Sequence, residues 1–119
     1  MQNIRSIQIL PEQAEALSSI SMELEFEAVC PIPGKPYGGF ITVSYCPDIR
    51  SDKGSGVDLI EWNSLQAWLN SLRSESYTAE GMAGMVAKEI KKCIGFKWLL
   101  VNLEVTSAFH LPVVVVVEL

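Results

Sequence analysis

An α+β fold is predicted, an antiparallel sheet covered on one face by two helices in the order β-β-α-α-β-β. Three observations lead there. Apolar and polar residues alternate strictly at both ends of the chain, which is the period of half-buried strands. Two stretches with a helical period lie between them. No repeat or linker divides the 119 residues, a length that suits one domain with a single core.

The elements follow in order. Residues 1–20 form an N-terminal arm to a domain spanning 1–119, with a short strand in "IRSIQIL" and a helical turn beginning at Pro11. In "SMELEFEAV" Met22, Leu24, Phe26 and Ala28 oppose Glu23, Glu25 and Glu27. In "GGFITVSYC" Ile41, Val43 and Tyr45 oppose Phe40, Thr42 and Ser44. The connecting "CPIPGKPY" holds three prolines and a glycine, so the two strands form an antiparallel pair around a stiff turn. After a polar loop, "VDLIEW" is a short extended piece. In "NSLQAWLNSLRSE" Leu65, Trp68, Leu69 and Leu72 fall on one helical face, with Asn63 as the N-cap. In "TAEGMAGMVAKEIKKCIG" the stripe is Met82, Met85, Val86, Ile90 and Cys93, bounded by Thr78 and Gly95. The small residues Ala83, Gly84 and Ala87 would let this helix approach a neighbour closely. "FKWLLVNLEVTS" alternates again, and the β-branched "LPVVVVVEL" reads as a strand covered on both faces.

One sheet face then carries Glu23, Glu25, Glu27, Asn102, Glu104 and Thr106 and should meet water. A four-stranded sheet has two edges, and an exposed valine edge is an association hazard. Closing several copies into a ring removes both edges and leaves a polar-lined channel, so a homo-oligomeric barrel is expected.

Composition narrows the function. Nine basic residues against 14 acidic give a net charge of −5, which argues against a general nucleic-acid coat. Lys88, Lys91, Lys92 and Lys97 gather locally, which a solvated helix face near its C-terminus explains first, and they leave tRNA open as a partner. Three unpaired-looking cysteines, no leader pattern and no apolar run long enough for a bilayer suggest a cytoplasmic protein with no membrane partner.

His110 is the sole histidine and no CxxC pair occurs, so a one-chain zinc site and a serine triad are both unsupported. "DKGSG" does not open a helix and is no phosphate loop. Cys46 and Cys93 sit where packing residues belong. Cys30, between a strand and a proline-rich turn, is either a small apolar residue or an accessible nucleophile. Glu80 lies in the first turn of the second helix, where a carboxylate is favourable, and that account comes before the other, a carboxylate accepting two hydrogen bonds from a guanine-like edge. Glu61 closes an otherwise apolar strand.

The element order, "CP" after the strand, "EWNSLQAW" and "SLRSESYTAEG" together resemble the 7-cyano-7-deazaguanine reductase (QueF) family over residues 22–119. The resemblance implies the tunnelling fold, shared with GTP cyclohydrolase I and 6-pyruvoyl-tetrahydropterin synthase. It implies a cysteine that adds to a nitrile to give a thioimide, which NADPH reduces. In the shorter QueF-like amidinotransferases the same cysteine acts on a nitrile carried by tRNA. Cys30 matches the nucleophile and Glu80 the reader of the deazaguanine edge. Glu61, Ser64, Leu65 and Trp68 match parts of the cofactor signature, and Glu61, Ser64 and Leu65 are carried with Glu80 as substrate-binding residues. Asn63 and Gln66 stand where that signature has lysines, which argues against NADPH as a cofactor. Tyr37 occupies the place of the acid seven residues after the cysteine and is its candidate replacement, with His110 a second. Ala79 replaces the histidine before Glu80, and "AFHLPVVVV" stands in place of an arginine–glycine stretch.

The expected function is therefore an enzyme acting on a 7-cyano-7-deazaguanine-like base through Cys30, by amidino transfer or another non-reductive step. The alternatives are a purine- or pterin-binding protein without turnover, an NADPH-dependent nitrile reductase with a degenerate cofactor motif, and a structural ring subunit.

Overall fold

The computed structural model describes residues 3–32, 34–48, 56–107 and 112–119. Its elements are β1 (Ser6–Ile9), α1 (Pro11–Ala14), β2 (Ile20–Val29), β3 (Pro36–Pro47), β4 (Val57–Ile60), α2 (Trp62–Asn70), α3 (Ala79–Cys93), β5 (Phe96–Val105) and β6 (Val113–Glu118). The expected β-β-α-α-β-β order is present as β2, β3, α2, α3, β5 and β6, which form an antiparallel sheet in the order β2-β3-β5-β6. The two short pieces expected in "IRSIQIL" and "VDLIEW" are β1 and β4, and they pair with each other as a separate ribbon.

Register decides what the sheet buries. Leu24 lies opposite Ile41, and Ile41 opposite Leu103, which faces Val115. This row and its neighbours put Leu24, Phe26, Ala28, Ile41, Val43, Tyr45, Leu99, Val101 and Leu103 on one buried face. α2 packs over β2, and α3 over β5 and β6. Both helices bring apolar stripes to that face, Leu65, Trp68 and Leu69 from α2 and Met82, Val86 and Ile90 from α3. The strand alternation of period two and the helical stripe of period 3.6 thus meet in one core.

Four details differ from the sequence reading. The N-cap of α2 is Glu61, not Asn63. Glu61 is extended (φ −80°, ψ 108°) and its carboxylate accepts the Ser64 N–H, whereas Asn63 is already inside the first turn. In α3, Ala83 and Ala87 are buried, but Gly84 faces open space, where an added Cβ would meet nothing within 4 Å. The valine strand is covered on one face only. β6 is an edge strand, so Val113, Val115 and Val117 turn to the core while Val114 and Val116 are 61% and 51% exposed. Finally, the outer sheet face is not purely polar, because Phe40, Trp98, Val114 and Val116 lie on it with the glutamates.

The outer edge of β2 is closed from within the chain. The Gln66 side-chain amide donates to the Glu25 carbonyl (2.9 Å) and accepts the Glu25 N–H (3.2 Å), as a paired strand would. Further along, Val29 donates to Glu75 O (3.0 Å) and accepts from Tyr77 N (3.1 Å). Such pairing satisfies backbone groups that an edge otherwise offers to another chain.

Candidate active site

The last residues of β2 and the first of α3 are tied together, and this brings Cys30 and Glu80 into one neighbourhood. The bonds of Val29 to Glu75 and Tyr77 make a parallel bridge between Val29 and Ser76. Cys30 follows directly, and Thr78 opens α3 by accepting the Gly81 N–H on its hydroxyl (3.0 Å). The turn beyond Cys30 is closed by Cys30 N–H donating to Lys35 O and Gly34 N–H donating to Cys30 O, both 2.9 Å. Gly34 has φ +84°, a left-handed conformation that glycine adopts without strain. Cys30 is half-buried and reduced, with its Sγ–H donating to Ile32 O at 2.8 Å. Glu80 is exposed in the first turn of α3.

Tyr37 joins them. It is buried, stacks edge-on against Phe26, and its hydroxyl donates to Tyr77 O at 2.6 Å. Burial first, then the negative charge of Cys30 and of Glu80, pushes its pKa up to about 12. Tyr37 is therefore close enough to feel the charge of both groups, a proximity that nothing in the sequence showed. A phenol with that pKa, giving its proton to a backbone carbonyl, is a poorer acid at neutral pH than an ordinary tyrosine.

Glu61, Ser64 and Leu65 are placed elsewhere. Glu61 N–H donates to Arg5 O and its carboxylate caps α2. Ser64 is buried, accepting the Arg5 N–H (2.8 Å) and donating to Glu61 O (2.7 Å) on its hydroxyl. Leu65 is fully buried in the core. α2 runs along β2 with Gln66 level with Glu25, so these three lie toward the start of β2 and Cys30 lies past its end. Within one protomer they do not meet Cys30. His110 lies outside the described residues, as does most of "DKGSG".

Sequence reasoning missed Gln66 as an edge cap and Tyr77 as the acceptor for Tyr37. Nothing local announces either, since both are pairings across some forty positions. The Gly38–Gly39 pair was visible and carried a signal, because glycine inside a strand marks a close backbone approach. A Cβ on Gly39 would stand 1.9 Å from Glu104 O.

No family model matches the chain. It is 32% identical over 85 residues to the NADPH-dependent 7-cyano-7-deazaguanine reductase of Bacteroides thetaiotaomicron, covering 71% of this chain and 48% of that protein. It is 31% identical over 78 residues to the reductase of the same name from Rhizobium leguminosarum bv. trifolii, covering 66% and 46%. The chain thus spans about half the length of the curated relatives it matches. Among solved structures it is similar to the archaeosine synthase QueF-Like in the apo form, with a TM-score of 0.71 and 19% identity over 87% of this chain and 94% of that one. The fold agrees with the likeness in sequence, and the chain is a divergent member of the 7-cyano-7-deazaguanine reductase (QueF) family, built on the tunnelling fold.

Proposed function

We propose that the protein acts on a 7-cyano-7-deazaguanine-like base through a thioimide on Cys30, without efficient NADPH reduction. The observation that carries the reading is the lacing of β2 to the start of α3, which puts Cys30, Tyr37 and Glu80 in one neighbourhood. Glu80 accepts the N–H and NH2 edge of the base, and the Cys30 sulfur adds to the nitrile carbon. The proton lost from the thiol ends on the nitrile nitrogen, so addition balances without a separate acid. That matters here, because the Tyr37 proton goes to Tyr77 O. Tyr37 then supports the site by packing and by holding the segment at Tyr77 that leads into α3. The thioimide is resolved by a nucleophile rather than by hydride. Gln66, at one of the two lysine positions of the cofactor signature, is spent on the β2 edge and carries no charge for a phosphate.

The reading includes a homo-oligomeric ring. Glu61 and Ser64 would complete the pocket from a neighbouring subunit, since they lie away from Cys30 in their own chain. The β6 edge, with Val114 and Val116 exposed, is where another copy would pair. The protein would work in the cytoplasm; no helix among the described residues is long and apolar enough to cross a membrane. tRNA could be held at Lys88, Lys91 and Lys97, while Lys92 is paired with Glu89 at 3.2 Å.

Incubation with 7-cyano-7-deazaguanine, followed by intact mass spectrometry, tests the reading. An adduct should appear and be absent in Cys30→Ala, with no NADPH consumed. A second reading, a base-binding protein without turnover, is favoured by the unsuitability of Tyr37 as an acid. It expects saturable binding that needs Glu80 and no adduct. Neither adduct nor binding would remove both.

A further inference from the structure

The pairing of β2 with β3 does not stop at Val29 and Pro36. Cys30 N–H donates to Lys35 O (2.9 Å), which adds Cys30 opposite Lys35 to the register that sets Ala28 opposite Tyr37 and Val29 opposite Pro36. Side chains alternate across a sheet, so Cys30 and Lys35 leave the backbone on the face of Ala28 and Tyr37, the face that the helices cover. Directly opposite residues have Cβ atoms about 5 Å apart, a gap that the flexible lysine stem spans. Lys35 is exposed and enters no ion pair among the described residues, so its ammonium is at liberty to turn toward the sulfur or toward a ligand on it.

A proton donor is what the site otherwise lacks. The Tyr37 hydroxyl is committed to Tyr77 O (2.6 Å), and the Cys30 thiol donates to Ile32 O (2.8 Å). Glu80 acts only as an acceptor in the reading above. Lys35 carries protons and faces the thiol across the turn.

We infer that Lys35 is a further catalytic residue of this site, the charge partner of the Cys30 thiolate and the donor of the proton that the nitrile nitrogen takes up. The inference rests on the thioimide reading. The thiol gives its proton to water beside an ammonium that favours the thiolate. As the C–S bond forms, one π bond of the nitrile opens and its electron pair takes a proton from Lys35. The amine regains a proton from water, so the overall balance stays that of thiol addition. A donor held within the site in place of solvent accelerates such a step about a hundredfold or more.

The test compares the full chain with Lys35→Gln and Lys35→Arg, which alter an exposed side chain and keep the backbone bond to Cys30. The rate at which iodoacetamide alkylates Cys30 at pH 7, read by peptide mass, needs no nitrile. Unit charges about 5 Å apart in water attract by an amount equal to about fourfold in an equilibrium. Lys35→Gln should therefore slow alkylation about fourfold, and Lys35→Arg should leave it unchanged. Adduct formation with 7-cyano-7-deazaguanine should slow about a hundredfold in Lys35→Gln and at least about tenfold in Lys35→Arg, because a guanidinium keeps the charge but does not release its proton. An adduct that forms in the wild type and equally fast in Lys35→Gln overturns the inference and leaves the thioimide reading standing. A wild-type rate in Lys35→Arg overturns the proton role, and alkylation indifferent to Lys35→Gln overturns the charge pairing. No adduct in the wild type overturns the thioimide reading and the proton role together, while the alkylation rates still decide the pairing.

Discussion

Tyr37→Phe separates a structural tyrosine from a catalytic one, and its cost can be worked out from the geometry. The substitution removes a 2.6 Å bond to the Tyr77 carbonyl and leaves the ring packing on Phe26 intact. A neutral hydrogen bond of this kind contributes about 1 kcal/mol, and the part-buried carbonyl left behind adds to the loss, giving about 1–2 kcal/mol in all. With an unfolding entropy of about 250 cal/mol/K for a chain of 119 residues, that is a fall of about 4–8 °C in Tm. The alkaline limb supplies a second readout. The pKa of Tyr37 rises on folding from 10.0 to about 12, so the folded state favours the neutral phenol. Its contribution is complete below pH 10 and lost as pH climbs through 12, at most about 2.7 kcal/mol. Tyr45, also raised by burial, adds to the slope in both proteins. Urea unfolding between pH 9 and about pH 12 should therefore show a shallower decline in Tyr37→Phe than in the wild type. The rate of nitrile adduct formation at pH 7 should fall less than about tenfold once the variant is compared below its Tm. Unchanged stability with coincident alkaline slopes would refute the hydrogen-bond argument. A rate loss of a hundredfold or more would make Tyr37 the general acid after all.

Other substitutions probe the frame that positions the site. Gln66→Lys breaks both bonds to Glu25 and, water replacing part of them, should cost about 1 kcal/mol in urea unfolding without creating NADPH turnover. Gly39→Ala places a methyl 1.9 Å from Glu104 O, so about 3 kcal/mol or more should be lost and soluble yield should drop sharply, while a substitution at Gly34 is strained for the different reason of its positive φ. Gly84→Ala, in open space on α3, should raise stability by about 0.5–1 kcal/mol, read as a higher urea midpoint at constant slope.

Much of this architecture was legible because periodicity is a local property. Glu23, Glu25 and Glu27 declare the outer face of β2, and the stripe from Met82 to Ile90 declares the inner face of α3, with no knowledge of partners. The site was legible only as far as chain position reaches. Cys30 and Glu80 were found by resemblance, and the bridge of Val29 to Ser76 gives that pairing a physical basis. Glu61, Ser64 and Leu65 matched the same signature, yet inside the protomer their polar groups are taken up by the α2 cap and by Arg5, and Leu65 is core. A motif records residue types at spacings. It does not record which hydrogen bonds have already been made, and Gln66 and Tyr37 differ from expectation in that respect. The valine run failed for a related reason, because burial on both faces depends on a strand's place in the sheet order and not on its composition.

The two bonds that hold Val29 between Glu75 and Tyr77 also join the backbone leading into the Cys30 turn to the backbone leading into α3. A base held by Glu80 and reaching Cys30, as proposed, would shield the thiol. Cys30 could then serve as a built-in gauge. Its rate of alkylation, followed while purine-like bases are added, would rank ligands for this protein before any reaction is known.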